Sequence, residues 1–239
     1  MFDPRRYPQG HLNQRELKYL IEADTAAAIW STACTRLQTH HQDPARPIAY
    51  LRTTYYDTPE LAYYRTGIGS VSRRLRVREY AGTSDPESVP LLFDVCYLEL
   101  KQSAGGMRAK MRIPIRPMDA ATHLARLADT LVEPQLTTWY RRSALTDEHE
   151  RLRITLDEGL AFCEPVALGT PCFGLEPDNI IARGPAFVLE IKAWEALPSW
   201  LGQILDGLPE AVGFSKFLTG MQMIQQRGLN GSSVIATRA

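Results

Sequence analysis

Hydrophobic and polar residues alternate with period two in segment after segment of this chain. Leu75 and Val77 alternate with Arg74, Arg76 and Arg78. Leu98 and Leu100 alternate with Glu99 and Lys101, and Leu189 and Ile191 with Glu190 and Lys192. Lys110 and Arg112 follow in Arg-Ala-Lys-Met-Arg-Ile, and Arg151 and Arg153 precede Ile-Thr-Leu-Asp. Successive side chains of a strand point to opposite faces, so each charged set shares one face and each apolar set the other. One such strand is ordinary. Five together predict a sheet with a charged concave side.

The same pattern predicts the remaining elements. Residues 1–13, rich in Pro, Arg and Gln, read as an irregular arm. A strand is predicted over 15–22. A helix follows, with Asp24 as its cap and Ala26, Trp30, Ala33 and Leu37 as its apolar stripe. Further strands are predicted over 49–56, 72–80, 93–102, 108–115, 135–144, 152–156 and 187–194, with a weaker piece near 160–164. A polar loop spans 82–90, and Ala104-Gly-Gly suits a tight connection. Asp57-Thr-Pro-Glu reads as a helix start. Helices are also predicted over 119–131, over 198–208, and from a Ser215 cap to Gly228. Residues 14–228 then form one domain, and 229–239 a flexible tail.

Strands with interspersed helices and short connections indicate an α+β fold. The expected architecture is an antiparallel eight-stranded β-barrel tunnel. Its apolar strand faces pack outward against amphipathic helices, and its lumen is charged. The 239 residues suffice for one such unit. Twenty-seven basic and 27 acidic residues give no net charge, so the overall field does not indicate nucleic-acid binding. No apolar run reaches the ~18–20 residues of a membrane helix. The N-terminus lacks a signal-peptide core. Four widely spaced cysteines suggest free thiols rather than a disulfide or zinc framework. A cytoplasmic location is the expectation.

Local segregation of charge carries the functional reading. Cations two apart on a strand, roughly 6.7 Å, repel by about 2.5 kcal/mol at an effective dielectric of ~20 and by ~0.6 in water. Lining a tunnel with Arg74, Arg76 and Arg78 therefore calls for an anion. Guanidinium forks bind phosphate oxygens bidentately, and Lys adds a movable point charge. Arg112 and Lys192 share this lining by parity. Glu16, Glu99 and Glu190 each lie two residues before a lysine: Lys18, Lys101 and Lys192. Any one Glu-x-Lys is also what a solvated salt bridge looks like. Together they suggest carboxylates for Mg²⁺ or Mn²⁺, which bridges phosphate groups. The five histidines show no ligand spacing, and no Walker-type glycine loop is present.

Nine ordered pieces carry a resemblance. They are Glu16-Leu-Lys-Tyr, Tyr55-Tyr-Asp-Thr-Pro with Tyr64, Arg74-Leu-Arg-Val-Arg-Glu-Tyr, Leu98-Glu-Leu-Lys and Lys110-Met-Arg. Trp139-Tyr-Arg-Arg-Ser-Ala, Arg153-Ile-Thr-Leu-Asp, Val188-Leu-Glu-Ile-Lys and Phe214-Ser-Lys-Phe-Leu-Thr-Gly complete them. In this order, from about residue 14 to 221, the chain resembles the VTC domain, the polyphosphate polymerase core of the triphosphate tunnel metalloenzyme (CYTH-like) superfamily. The resemblance implies an eight-stranded tunnel, a divalent metal, and polyphosphate growth from the ATP γ-phosphate. It implies a phosphate-binding set of Lys18, Arg76, Arg78, Lys101, Lys110, Arg142, Arg153 and Lys216, with Glu190 as metal ligand. Gly213 and Thr137 stand where the eukaryotic polymerases carry a lysine and an arginine. Gln14 stands at the first position of the CYTH Glu-x-Glu-x-Lys signature. The expected function is thus a polyphosphate polymerase-like phosphotransferase acting on ATP and polyphosphate. The alternatives are a CYTH-type triphosphatase and a non-catalytic binder of polyphosphate or another polyanion.

Overall fold

The computed structural model describes residues 15–67, 72–104, 107–128, 130–171 and 177–235, with the backbone alone at 104, 107–108 and 228–235. In chain order the elements are β1 (Arg15–Ile21), α1 (Ala23–Cys34), β2 (Gln38–Thr39), β3 (Ile48–Asp57) and α2 (Ala62–Thr66). Then come β4 (Ser72–Thr83), β5 (Leu91–Leu92), β6 (Cys96–Ala104), β7 (Met107–Ile115) and α3 (Ala120–Leu127), the last after a 3-10 turn at Pro117–Asp119. The chain closes with β8 (Glu133–Thr146), β9 (Leu152–Cys163), β10 (Ile180–Arg183), β11 (Phe187–Ala193), α4 (Ser199–Leu205) and α5 (Lys216–Ile235).

Eight strands pair in the order β1-β11-β9-β8-β3-β4-β6-β7, and β2, β5 and β10 attach to β8, β4 and β9. Every pairing is antiparallel. The expected closed barrel is not formed, because the end strands β1 and β7 do not pair among the described residues. A loop has taken part of β1's free edge: the Ala211 N–H donates to the Lys18 carbonyl at 2.7 Å. The sheet instead curls. In a flat sheet β11 and β6 would stand roughly 24 Å apart, five strand spacings. Here Lys192 of β11 and Lys101 of β6 line one cleft.

Parity decides which face is core. Leu17, Tyr19, Ile21, Ile154, Leu189 and Ile191 point outward and bury against Ile29 and Ala33 of α1 and Leu201 and Leu205 of α4. Leu75, Val77, Leu98, Leu100 and Met111 do the same against Ala120 and Leu124 of α3. The inside-out packing expected from the sequence is therefore present on both flanks.

The last helix departs from it. Phe217 and Met221 of α5 pack with Leu51, Tyr55, Leu136, Tyr140 and Phe162, so this helix lies against the concave face. Gly220 permits the approach, since a Cβ there would sit 2.5 Å from Leu136 Cδ2 and 2.6 Å from Phe162 Cδ1. The helix runs past the expected stop at Gly228 to Ile235.

Other local expectations are corrected by hydrogen bonding. The cap position of α1 is Glu22, without a side-chain bond, and Asp24 lies inside the first turn. The two pieces read at 152–156 and near 160–164 are one strand, β9, with Gly159 at φ +63° inside it. The polar loop read over 82–90 begins later, because β4 runs to Thr83. Cys34, Cys96 and Cys163 are free thiols. The Gly105-Gly106 turn, Gln14 and Cys172 fall outside the described residues.

Candidate functional site: a cationic cleft

Register carries the charged residues of seven strands onto one face. Glu16 and Lys18 face Lys192 and Glu190 across β1 and β11. Arg142 faces Asp157 across β8 and β9. Arg74 and Arg76 face Lys101 and Glu99 across β4 and β6, which in turn face Lys110 and Arg112 of β7. The curl brings part of this face around a narrow cleft of about 80 Å³. Eight basic side chains line it: Lys18, Arg74, Arg76, Arg78, Lys101, Arg142, Lys192 and Lys216. Among the described residues two carboxylates do, Glu16 and Glu190, with Tyr55, Tyr140 and Ser215 in the remaining walls.

Several of the cations are held from behind. Arg142 donates from two nitrogens to Asp157, at 2.5 and 2.7 Å, and Lys216 Nζ reaches Asp157 Oδ2 at 2.6 Å. Burial would raise the Asp157 carboxyl, but Arg142 and Lys216 overcome it and hold it below the usual range. Arg76 is fixed by Glu99 at 2.6 Å, and Arg112 lies 3.6 Å from the same carboxylate. Burial again opposes the charge on Glu99, and Arg76, Arg78, Lys110 and Arg112 overcome it. At the opposite end Glu16 pairs with Lys18 at 2.8 Å and Glu190 with Lys192 at 2.6 Å. Burial would raise the Glu190 carboxyl; Lys192, Arg142 and Lys18 hold it well below its ordinary value.

Other cations have no such support. Lys101 has no ion-pair or hydrogen-bond partner among the described residues. Burial first, and then the charges of Arg76 and Lys192, push its ammonium down to about 7. The Arg74 Nε is buried without a hydrogen-bond partner. Arg78 is 8% exposed, and its Nε donates to the Thr53 hydroxyl at 3.2 Å rather than to a carboxylate. A buried charge without a counter-charge is costly. Lys101 and Arg74 carry that cost, each held below its ordinary value chiefly by burial, and an entering anion would relieve it. Burial and the charge of Arg76 oppose Arg78 as well, but Tyr140 and Glu99 outweigh them, and it stands above its ordinary value.

Of the predicted phosphate set, Lys18, Arg76, Arg78, Lys101, Arg142 and Lys216 converge on the cleft, together with Lys192. Lys110, Arg112 and Arg153 share the face but lie outside the cleft lining. Arg112 sits 3.8 Å over the Tyr97 ring and donates to the Tyr80 hydroxyl at 3.1 Å. Arg141, the neighbour that a register slip would exchange with Arg142, pairs with Glu158 on the opposite face.

The three predicted metal carboxylates are not brought together. Among the described residues no three His, Cys, Asp or Glu side chains form a metal-binding group. Glu16 and Glu190 share the cleft and raise each other's cost of ionisation. Glu99 is committed to Arg76 behind the wall. The Glu99-x-Lys101 spacing therefore does not produce a pair, whereas the Glu16-Lys18 and Glu190-Lys192 spacings do.

Three contributors were not assigned from sequence. Asp157 lies inside β9 as the shared anchor of Arg142 and Lys216. Tyr140 offers its ring to Lys216 at 4.6 Å and to Arg142 at 5.4 Å. Tyr55 lies under Arg76, 5.9 Å from guanidinium to ring centre. Its parity with Thr53, and the spacing of Tyr140 from Arg142, were the available signals.

The sequence matches the VTC domain over residues 13–131 and 119–225. Among solved structures, a candidate adenylate cyclase from Vibrio parahaemolyticus is 16% identical and superposes with a TM-score of 0.42, covering 80% of each chain. One from Bacillus halodurans is 12% identical at 0.43, covering 76% of this chain and 82% of that one. A protein from Pyrococcus horikoshii is 12% identical at 0.43, covering 80% and 85%. These scores are too low to carry an activity across. No curated protein matches the sequence. No described helix is long and apolar enough to cross a membrane. The VTC domain match spans nearly all of the sheet and the start of α5, and the chain belongs to that family.

Proposed function

We propose that the cleft binds the triphosphate of a nucleotide and transfers its γ-phosphoryl group to a growing polyphosphate chain. One observation carries this reading: eight basic side chains surround two carboxylates, and neither Lys101 nor Arg74 is paired with one. Arg78 and Lys101 are free to take phosphate oxygens. Arg76, Arg142 and Lys216 are held in position by Glu99 and Asp157, so little order is lost when they bind. In the transfer, a terminal oxygen of the acceptor chain forms a bond to the γ-phosphorus. The bond from that phosphorus to the β–γ bridging oxygen breaks, and the nucleoside diphosphate leaves. The basic residues offset the charge that gathers on the leaving oxygens.

The donor chemistry of the cleft fits Mg²⁺ or Mn²⁺. Such ions are held by one or two carboxylates together with substrate phosphates rather than by all-protein cages. Glu16 and Glu190 are the carboxylates that line the cleft, and Glu99 is not among its walls. The chemistry such an ion supplies, when held there with the substrate, is neutralisation of part of the phosphate charge.

Hydrolysis needs a group that activates water. Glu16 in the cleft and Glu99 behind it, the carboxylates with that potential, are both held below the usual carboxylate range and make poor bases. The acceptor oxygen of a polyphosphate chain is already ionised and needs none. This favours the polymerase over the triphosphatase.

The test is incubation of the purified protein with ATP and Mn²⁺ or Mg²⁺, with products sized on a polyacrylamide gel. A ladder of polyphosphate with matching ADP is expected, and Glu190→Gln is expected to abolish it while tripolyphosphate still binds. Orthophosphate without polymer would replace the reading with a hydrolase. No turnover with retained polyphosphate binding would replace it with a binding protein.

A further inference from the structure

Tyr55, a wall of the cleft, is neither cation nor carboxylate. It lies on β3, is 3% exposed, and its ring stacks on Phe217 of α5 with centres 5.1 Å apart. Tyr64 of α2 meets the same Phe217 edge-on at 6.4 Å, so the stack is braced from a second helix. The β3 backbone and this stack together fix where the phenol points. Its hydroxyl accepts a hydrogen bond from Arg76 Nη1 at 3.4 Å. Arg76 is itself held by Glu99 through Nε at 2.7 Å and Nη2 at 2.6 Å, so hydroxyl and guanidinium form a fixed pair in the cleft.

A phenol hydroxyl both accepts and donates. Here the accepting side is used by Arg76, while its own proton finds no acceptor among the described residues. The charged groups around it cannot supply one. Arg76 and Arg78 of β4 and Lys216 of α5 act on the hydroxyl, and it acts in turn on Arg74. Guanidinium and ammonium groups carry donors only. On the other side of β3, the position opposite Tyr55 on β8 is Leu136, which brings no charge. The two helices that pack nearby offer the rings of Phe217 and Tyr64. The Glu99 carboxylate is taken up by Arg76. Burial would raise the Tyr55 hydroxyl, but the charges of Arg76 and Arg78, the bond from Arg76 and the charge of Lys216 overcome it and hold it below its ordinary value. A buried donor left without an acceptor is costly. An anionic oxygen entering among these cations meets that need.

We infer that Tyr55 is a further ligand-binding residue of the cleft: its hydroxyl donates to an oxygen of the bound phosphate chain while it accepts from Arg76. The inference rests on the reading of the cleft as a phosphate site, and not on which product is made there. It has a second consequence. A bound polyanion disfavours the phenolate, so Tyr55 ionises at higher pH when the cleft is filled. Calorimetric titration with tripolyphosphate compares the parent with Tyr55→Phe, which removes the hydroxyl and keeps the stacked ring. Loss of one hydrogen bond to a charged oxygen is expected to weaken binding about ten- to a hundredfold. Tyr50→Phe makes the same change on the opposite face, where Tyr50 stands across from Arg141, and should leave the affinity unchanged. Tyrosinate absorbance followed against pH gives a readout that packing alone would not move. In the parent, saturating tripolyphosphate should shift an early ionisation step to higher pH, and Tyr55→Phe should lack that step. A cooperative melt would show that Tyr55→Phe is folded; if it is not, the absorbance shift of the parent decides. If the parent binds tripolyphosphate and folded Tyr55→Phe binds it as tightly, the hydroxyl does not meet the ligand, and the inference is overturned while the cleft reading stands. A tyrosinate titration unmoved by saturating tripolyphosphate overturns it equally. If the parent binds no tripolyphosphate, the cleft reading and the inference fall together.

Discussion

Lys101 is the residue at which the cost and the use of the cleft meet. Its ordinary value is 10.5, and in the folded chain it stands at about 7. A group whose value falls on folding binds its proton more weakly in the native state, so stability rises with pH between the two values. The penalty is therefore complete below pH 7 and fades between pH 7 and 10.5. Lys101→Met should raise the melting temperature of the unliganded protein at pH 6 and flatten its pH dependence across that window. The same substitution should weaken tripolyphosphate binding, since a bound anion restores the proton. In the parent that uptake makes the affinity fall nearly tenfold per pH unit above ~8. The binding enthalpy should also vary with the ionisation heat of the buffer. An enthalpy identical in phosphate-free buffers of high and low ionisation heat would show that Lys101 takes up no proton. The sequence showed that Lys101 shares a face with Glu99, but not that Glu99 would turn to Arg76. Parity is local information; which of several same-face partners wins is set by the curl of the sheet. For the same reason Asp157 was missed, because its two partners come from a neighbouring strand and from a helix 59 residues along the chain.

At the scale of elements, alternation of a charged and an apolar face located most of the long strands, whereas β3, buried on both faces, was legible only from its Tyr and Thr content, and β9 was legible only as two pieces. The short strands β2 and β5, of two residues each, carry no period to read. The placement of α5 was equally hidden. Its apolar residues predict a helix, but its position is set by Gly220, whose missing side chain admits Leu136 and Phe162. That contact keeps Phe217 stacked on Tyr55, centres 5.1 Å apart, and Lys216 on Asp157. Gly220→Val should therefore act on the site as well as on the fold. Overpacking of this kind typically costs about 1–3 kcal/mol. Denaturant titration should show that loss, and tripolyphosphate affinity should drop with it as Lys216 is displaced. A variant as stable as the parent, with unchanged affinity, would mean that α5 does not hold Lys216 in place. Gly202, on α4 with open space around it, is the control: Gly202→Ala should leave both quantities unchanged or slightly raise stability.

For the whole molecule, equal numbers of basic and acidic residues conceal an internal separation of charge. The acids behind and beside the cleft, Glu99, Asp157 and Glu190, are held below their ordinary values by the cations they support. Carboxylates depressed in this way stabilise the fold above their unfolded values near 4, and that stability is lost as pH falls through the lower folded values. Protonating them leaves the cleft cations facing one another in a poorly solvated space, where repulsion is several times its value in water. Acid unfolding should therefore begin in the cleft, ahead of the outward-facing clusters under α1 and α3, whose contacts are apolar. A polyanion supplies the missing charge from outside. Tripolyphosphate remains anionic at pH 3, so it should move the acid midpoint, followed by circular dichroism, to lower pH. Sodium chloride at equal ionic strength screens without bridging and should move it much less. Equal shifts from the two salts would mean that the cleft is only a screened surface, and the proposed site for a phosphate chain would lose its electrostatic basis.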